Sequence, residues 1–143
     1  MSFVYPTGQY GVVKLVDFCY GHRLLNYSGK CRFLHGHNGL VEVTIESSQL
    51  DDRGMVIDFS DVKQIAKRWI DDNLDHRMIL CKADPAVETL LAMNEPLFLM
   101  DCNPTAEAIA GMMLEKLISE GLPISELRLW ETPSSYATVR KAP

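Results

Sequence analysis

The chain has 143 residues, 47% hydrophobic and 23% charged, with a formal net charge of -5. That length buries a core without disulfide staples and predicts one domain over residues 1–143. There is no run of ~18 apolar residues and no Lys/Arg-rich stretch, which argues against a membrane span and against general nucleic-acid binding.

The N-terminal segment MSFVYPTGQY lacks a basic region followed by an apolar one, so a secretory signal is not expected. Cys19, Cys31, Cys81 and Cys102 show no CxxC spacing. Reduced thiols and a cytoplasmic location are the expectation.

Tyr10 to Phe18 (YGVVKLVDF) is rich in β-branched and aromatic residues and reads as a strand. From Leu40 to Ile45, Val41, Val43 and Ile45 alternate with Glu42, Thr44 and Glu46, the pattern of a half-buried strand. Asp51-Asp52-Arg53-Gly54 predicts a turn and Met55–Ile57 a short strand. Asp58 or Ser60 then caps a helix whose apolar face is Phe59, Val62, Ile65, Ala66, Trp69 and Ile70. Pro85–Met93 predicts a short extra helix. The second main helix starts near Pro104-Thr105, with Glu107 in its first turn, and Gly121 fits its C-terminal stop. Strands follow at Glu126–Trp130 and Tyr136–Arg140.

The expected fold is α+β: a four-stranded antiparallel sheet in ββααββ order, with two main helices on one face. So small a sheet has open edges, and open edges predict a homo-oligomer.

The chain has four histidines. His35 and His37 are two apart at the entry to a strand, so their imidazoles point to one side, and Gly36 between them permits close backbone approach. His22 ends the preceding strand, and a hairpin would bring it to the other two. Three neutral imidazoles with an open fourth position describe a catalytic zinc site. A chance His-x-His at a solvated strand end is the competing reading.

Cys31, between Lys30 and Arg32, has cationic neighbours and adjoins the candidate metal site, both of which favour thiolate. Asp75-His76 pairs a carboxylate with an imidazole that can move protons near neutral pH, or else is a helix-end histidine held by the helix dipole. Glu131, at a strand end, can accept paired N–H bonds from a heterocycle or stand exposed. Thr105 and Glu107 read as helix cap and first-turn acid.

These residues form a pattern that resembles the 6-pyruvoyl-tetrahydropterin synthase and 6-carboxy-tetrahydropterin synthase family. The matching segments are FCYGHRL (18–24), GKCRFLHGHN (29–38), GMVIDF (54–59), LDH (74–76), NPTAE (103–107) and WET (130–132), in family order. The resemblance implies the tunnelling fold, in which subunits join their sheets into a barrel with active sites at subunit interfaces. It implies zinc on His22, His35 and His37, and Cys31 as catalytic thiol worked by a relay from Asp75 and His76. Glu131 would anchor the pterin ring, with Thr105 and Thr132 nearby.

The spacing Cys31-x-x-x-His35 is similar to that of the 6-carboxy enzymes of the queuosine pathway. These convert 7,8-dihydroneopterin triphosphate to 6-carboxy-tetrahydropterin, acetaldehyde and triphosphate. Arg23, Lys30, Arg32 and Arg77 are the nearby cations that could offset a triphosphate. Two alternatives stay open, the 6-pyruvoyl activity and a zinc-containing pterin-binding module without turnover.

Three features depart from the family pattern. Cys19-Tyr20-Gly21 stands where small residues usually precede the first histidine. Gly39 stands where an aromatic often follows His-Gly-His-Asn. The segment from Lys82 to Met100 is longer than in the shortest members.

Overall fold

In the computed structural model, which describes residues 3–143, two 13-residue strands form the frame, β1 (Tyr10–His22) and β2 (His35–Ser47). They pair antiparallel from Tyr10↔Ser47 to His22↔His35. Both run further than the apolar pattern predicts, and the extra turns of strand carry the histidines. On β1, Val16, Phe18, Tyr20 and His22 are buried while Leu15, Asp17 and Cys19 are exposed, the period-two alternation of a one-sided sheet.

On the far side of β2, β5 (Glu126–Thr132) and β6 (Ser135–Arg140) add two antiparallel strands. Beyond β1, β3 (Arg77–Cys81) and β4 (Leu97–Met100) add two parallel ones. The sheet is therefore six-stranded and mixed, in the order β4-β3-β1-β2-β5-β6, and not the expected four-stranded antiparallel sheet.

The two extra strands are short apolar runs, RMILC and LFLM, without polar alternation. Such parallel strands cannot be separated from buried helix by periodicity alone. The expected short helix is present as α2 (Ala86–Ala92), and it is the crossover that makes β3 and β4 parallel. The strand expected at Met55–Ile57 does not form. The Asp51 carboxylate instead accepts from the N–H groups of Arg53 (2.8 Å) and Met55 (3.0 Å), which folds this stretch into a turn around Gly54 at φ +80°.

Two long helices cover the sheet's apolar face. α1 (Phe59–Asn73) is capped by Asp58, which accepts from Ser60 N–H, and buries Val62, Ala66 and Ile70. α3 (Ala106–Ser119) is capped by Thr105 and buries Ile109, Ala110, Met113, Leu114 and Leu117. Gly121 follows at φ +105°, as its role as a stop requires. All of these join Val16, Phe18, Val41, Val43, Ile45, Leu127 and Leu129 in one core. Among the described residues no helix is long and apolar enough to cross a membrane.

Asp84, 3% exposed, anchors the start of the crossover. Its carboxylate accepts from Arg23 Nε (2.7 Å) and Nη2, and from Ala86 N–H (2.8 Å). The Arg23 bond holds the Asp84 pKa below the usual carboxylate range against the opposing effect of burial. Asp84→Asn is expected to cost roughly 1.5–3 kcal/mol of stability near neutral pH. Because the folded pKa lies below the unfolded one, this contribution is fully present above about pH 4 and is lost as pH falls through the folded pKa. Urea melts of both proteins at neutral and acid pH test it: the gap should narrow on acidification, and a constant gap contradicts the account.

Candidate functional site

The β1–β2 register sets His22 opposite His35, with His37 two residues further along β2 opposite Tyr20. One ring nitrogen from each of His22, His35 and His37 lies within 4.8 Å of the other two. The close approach of the backbones depends on Gly36, where a Cβ would stand 3.1 Å from the Tyr20 carbonyl oxygen.

His22 Nδ1 is 2.7 Å from the Pro104 carbonyl and His35 Nδ1 is 2.7 Å from the Phe33 carbonyl. A carbonyl only accepts, so each Nδ1 carries a proton, which leaves Nε2 as the nitrogen able to bind a metal. His35 Nε2 is buried without a hydrogen-bond partner, and His37 Nε2 is 3.1 Å from His22 Nε2. Burial lowers the pKa of His22, with the neighbouring His35 and His37 acting the same way and the Pro104 bond and Glu131 opposing. Three converging imidazoles, two of them with carbonyl-fixed Nδ1 atoms, are the donor set that suits zinc. The three residues therefore fit a metal ion.

Glu131 sits at an irregularity in β5, where the pairing skips from Trp130↔Tyr136 to Thr132↔Ser135. Such a bulge re-aims a side chain. Its Oε1 accepts from the Tyr20 hydroxyl (3.0 Å) and lies 3.6 Å from His22 Nε2, while Oε2 lies 3.9 Å from His37 Nε2. Burial raises the Tyr20 pKa, and the Glu131 charge and hydrogen bond raise it further, so the hydroxyl remains a donor.

Cys31 lies in a single 3-10 turn (Lys30–Arg32) between β1 and β2. Its carbonyl accepts from Leu24 N–H (2.9 Å), which fastens the turn to the end of β1. Asn103 fastens the same loop to the entry of α3, accepting from Leu25 N–H (2.8 Å) and donating to the Leu25 carbonyl (2.9 Å). One cleft of about 260 Å³ is lined by His22, Cys31, Thr105, Glu107, Glu131 and Tyr136, among others.

Glu107, read from sequence as a first-turn acid, thus also faces the cleft. The segment NPTAE contained it, but its helix position already explained it. Thr105 shares the cleft while its oxygen caps α3 by accepting from Ala108 N–H (3.1 Å). Thr132 lines a neighbouring depression with His37, Trp130 and Glu131.

Asp75 and His76 pair directly, with His76 Nδ1 2.8 Å from Asp75 Oδ2. Asp75 Oδ1 accepts from Cys19 N–H (2.9 Å), and His76, at φ 59°, donates its backbone N–H to the Cys19 carbonyl (2.7 Å). Burial raises the Asp75 pKa, but the Cys19 and His76 bonds outweigh it and hold the carboxyl below its ordinary value. The His76 side chain is 78% exposed and lines a different cavity from Cys31. One chain therefore places Cys31 with His22 and Glu131 in one cleft and His76 with His35 and His37 in another, so Cys31 and His76 share no cavity.

Of the cations near the site, Arg23 is engaged by Asp84. Arg77 donates to the Asp72 carbonyl (3.1 Å). Arg32 donates to the Ser28 carbonyl (2.6 Å) and stacks on Phe33.

The family profile described as 6-pyruvoyl tetrahydropterin synthase matches residues 11–142. A Rickettsia felis protein named 6-carboxy-5,6,7,8-tetrahydropterin synthase is 36% identical over 131 residues, covering 87% of this chain and 95% of its own. A Haemophilus influenzae protein of the same name is 37% identical over 136 residues, covering 90% and 96%. Among solved structures, an uncharacterized protein from Wolinella succinogenes superposes with a TM-score of 0.84 at 32% identity, over 95% of this chain and all of that one. The 6-pyruvoyl tetrahydropterin synthase of Caenorhabditis elegans superposes with a TM-score of 0.73 at 25% identity, over 97% of this chain and all of that one. With the match running through nearly the whole sequence, the chain belongs to the 6-pyruvoyl tetrahydropterin synthase family.

Proposed function

We propose that this protein is a zinc-dependent 6-carboxy-5,6,7,8-tetrahydropterin synthase. It converts 7,8-dihydroneopterin triphosphate and water to 6-carboxy-tetrahydropterin, acetaldehyde and triphosphate. The observation that carries the reading is the convergence of three imidazoles, the Cys31 turn and the Glu131 carboxylate on one region of the fold. The 6-carboxy names of the relatives in Rickettsia and Haemophilus and the Cys31-x-x-x-His35 spacing favour this product over the 6-pyruvoyl one.

Zinc bound by His22, His35 and His37 supplies Lewis acidity toward the side-chain hydroxyls of the substrate. Glu131 binds the pterin by accepting ring and exocyclic N–H groups in parallel, with Thr105 and Thr132 at its flanks. The Cys31 thiolate takes a proton from the substrate side chain, and the Asp75-oriented imidazole of His76 returns protons to the ring system. Loss of that proton enolises the side chain, triphosphate leaves from it, and addition of water precedes the carbon–carbon cleavage that releases acetaldehyde and leaves the carboxylate.

The exposed His76 and the separate Cys31 cleft favour a homo-oligomer in which one subunit's pair completes another's site. The free edge of β1 before Cys19 is where a neighbouring strand can add. A cytoplasmic setting, with reduced Cys31, suits the chemistry.

Glu131→Gln tests the ring anchor. An amide offers one acceptor where the carboxylate offers two, and its donor would face a ring donor. Affinity of the zinc-loaded protein for neopterin, measured by calorimetry, is expected to fall roughly ten- to hundredfold. A larger loss in Glu107→Gln would transfer the anchoring role to Glu107.

A further inference from the structure

Tyr20 occupies the buried face of β1 two residues before His22 and is 3% exposed. Its ring stacks on Phe18 at 5.0 Å between centroids and stands 5.4 Å from His22 and 5.6 Å from His37. Gly39 on β2 makes room for it: a Cβ there would come within 3.0 Å of both the Tyr20 and Phe18 rings. The large residue at 20 and the absent side chain at 39, two of the departures from the family pattern, are therefore one packing feature.

The consequence falls on Glu131. Its two oxygens are 3.6 and 3.9 Å from the Nε2 atoms of His22 and His37. A metal held by those nitrogens would lie within reach of a carboxylate that rotated toward it, since zinc takes oxygen ligands at about 2.0–2.2 Å. Such a ligand would fill the open position and remove the ring anchor at once. The Tyr20 hydroxyl, donating to Oε1 at 3.0 Å, offers that oxygen a fixed partner instead.

We propose that Tyr20 is a positioning residue whose hydroxyl holds the Glu131 carboxylate beside the metal position rather than on it, leaving its other lone pairs for substrate N–H groups. The inference rests on the reading of Glu131 as ring anchor and of the three histidines as metal ligands.

Tyr20→Phe removes the hydroxyl and keeps the ring contacts with Phe18, His22 and His37. Zinc-loaded Tyr20→Phe, Glu131→Gln and the double variant are titrated with neopterin, and the cobalt-loaded forms are compared by visible absorption. Tyr20→Phe is expected to weaken neopterin about tenfold. It is also expected to shift the cobalt bands as the carboxylate enters the coordination sphere. Once Glu131 is replaced, Tyr20→Phe should add less than about twofold.

A neopterin affinity for Tyr20→Phe within about twofold of the parent overturns the proposal. So does an equal loss in both backgrounds, which is the signature of packing alone. If Glu131→Gln binds neopterin normally, the anchor reading has failed separately. Unchanged cobalt bands in Tyr20→Phe then overturn the role of Tyr20 as well.

Discussion

His35→Ala is expected to lower metal content from about one ion per chain to near zero, and His37→Ala to do the same. Loss of an outer hydrogen-bond partner already costs a metal site roughly ten- to hundredfold in affinity, so loss of one of three direct ligands costs more. The fourth imidazole, His76, lines a depression with His35 and His37 but stands outside the converging cluster, its Nδ1 bonded to Asp75. Glu131 has its oxygens 3.6 and 3.9 Å from His22 and His37 Nε2, but its carboxylate is tied to Tyr20. Metal analysis after gel filtration, with circular dichroism to confirm folding, is the check. Full metal content in both variants contradicts the assignment of the three histidines.

Cys31→Ala is expected to keep metal and fold and to lose roughly 10²–10⁴ of turnover, the range a positioned proton-transfer group supplies. The fold should survive because the turn is held by backbone atoms, Leu24 N–H to the Cys31 carbonyl, and not by the thiol. Cys19→Ala is the control. The Cys19 backbone, not its sulfur, holds Asp75 and His76, so that variant should turn over nearly normally.

A mixing experiment adds the subunit question. Cys31→Ala and His76→Ala, each inactive alone, should regain about a quarter of parental activity when co-assembled at random across a heterologous interface. Turnover of Cys31→Ala near the parental rate would remove Cys31 from the mechanism. Failure of the mixture to recover would place the relay within one chain.

The helices were legible because their signals are local. Asp58 and Thr105 cap where their side chains can accept the second or third N–H, and each stripe falls on one face. The β1–β2 hairpin was legible for the same reason, and with it the meeting of His22, His35 and His37. β3 and β4 were not legible, since RMILC and LFLM carry no alternation and their parallel pairing depends on a crossover of distant residues. The Met55–Ile57 strand failed because the Asp51 side chain claims that backbone for a turn.

At the site, local spacing pointed to the three histidines that converge but could not show that Arg23 is engaged by Asp84, sixty-one positions away. Nor could it show that Glu107, sufficient as a first-turn acid, also faces the Cys31 cleft. The Tyr20–Glu131 bond joins residues 111 apart and has no sequence signature. The large Tyr20 before His22 and the missing side chain at Gly39 were the local hints there.

The most direct test of the central claim is incubation of the zinc-loaded protein with 7,8-dihydroneopterin triphosphate, followed by mass analysis of the products. The account predicts 6-carboxy-tetrahydropterin with acetaldehyde and triphosphate in equal amounts. Formation of 6-pyruvoyl-tetrahydropterin without acetaldehyde, or recovery of unchanged substrate from protein with zinc bound, would contradict it.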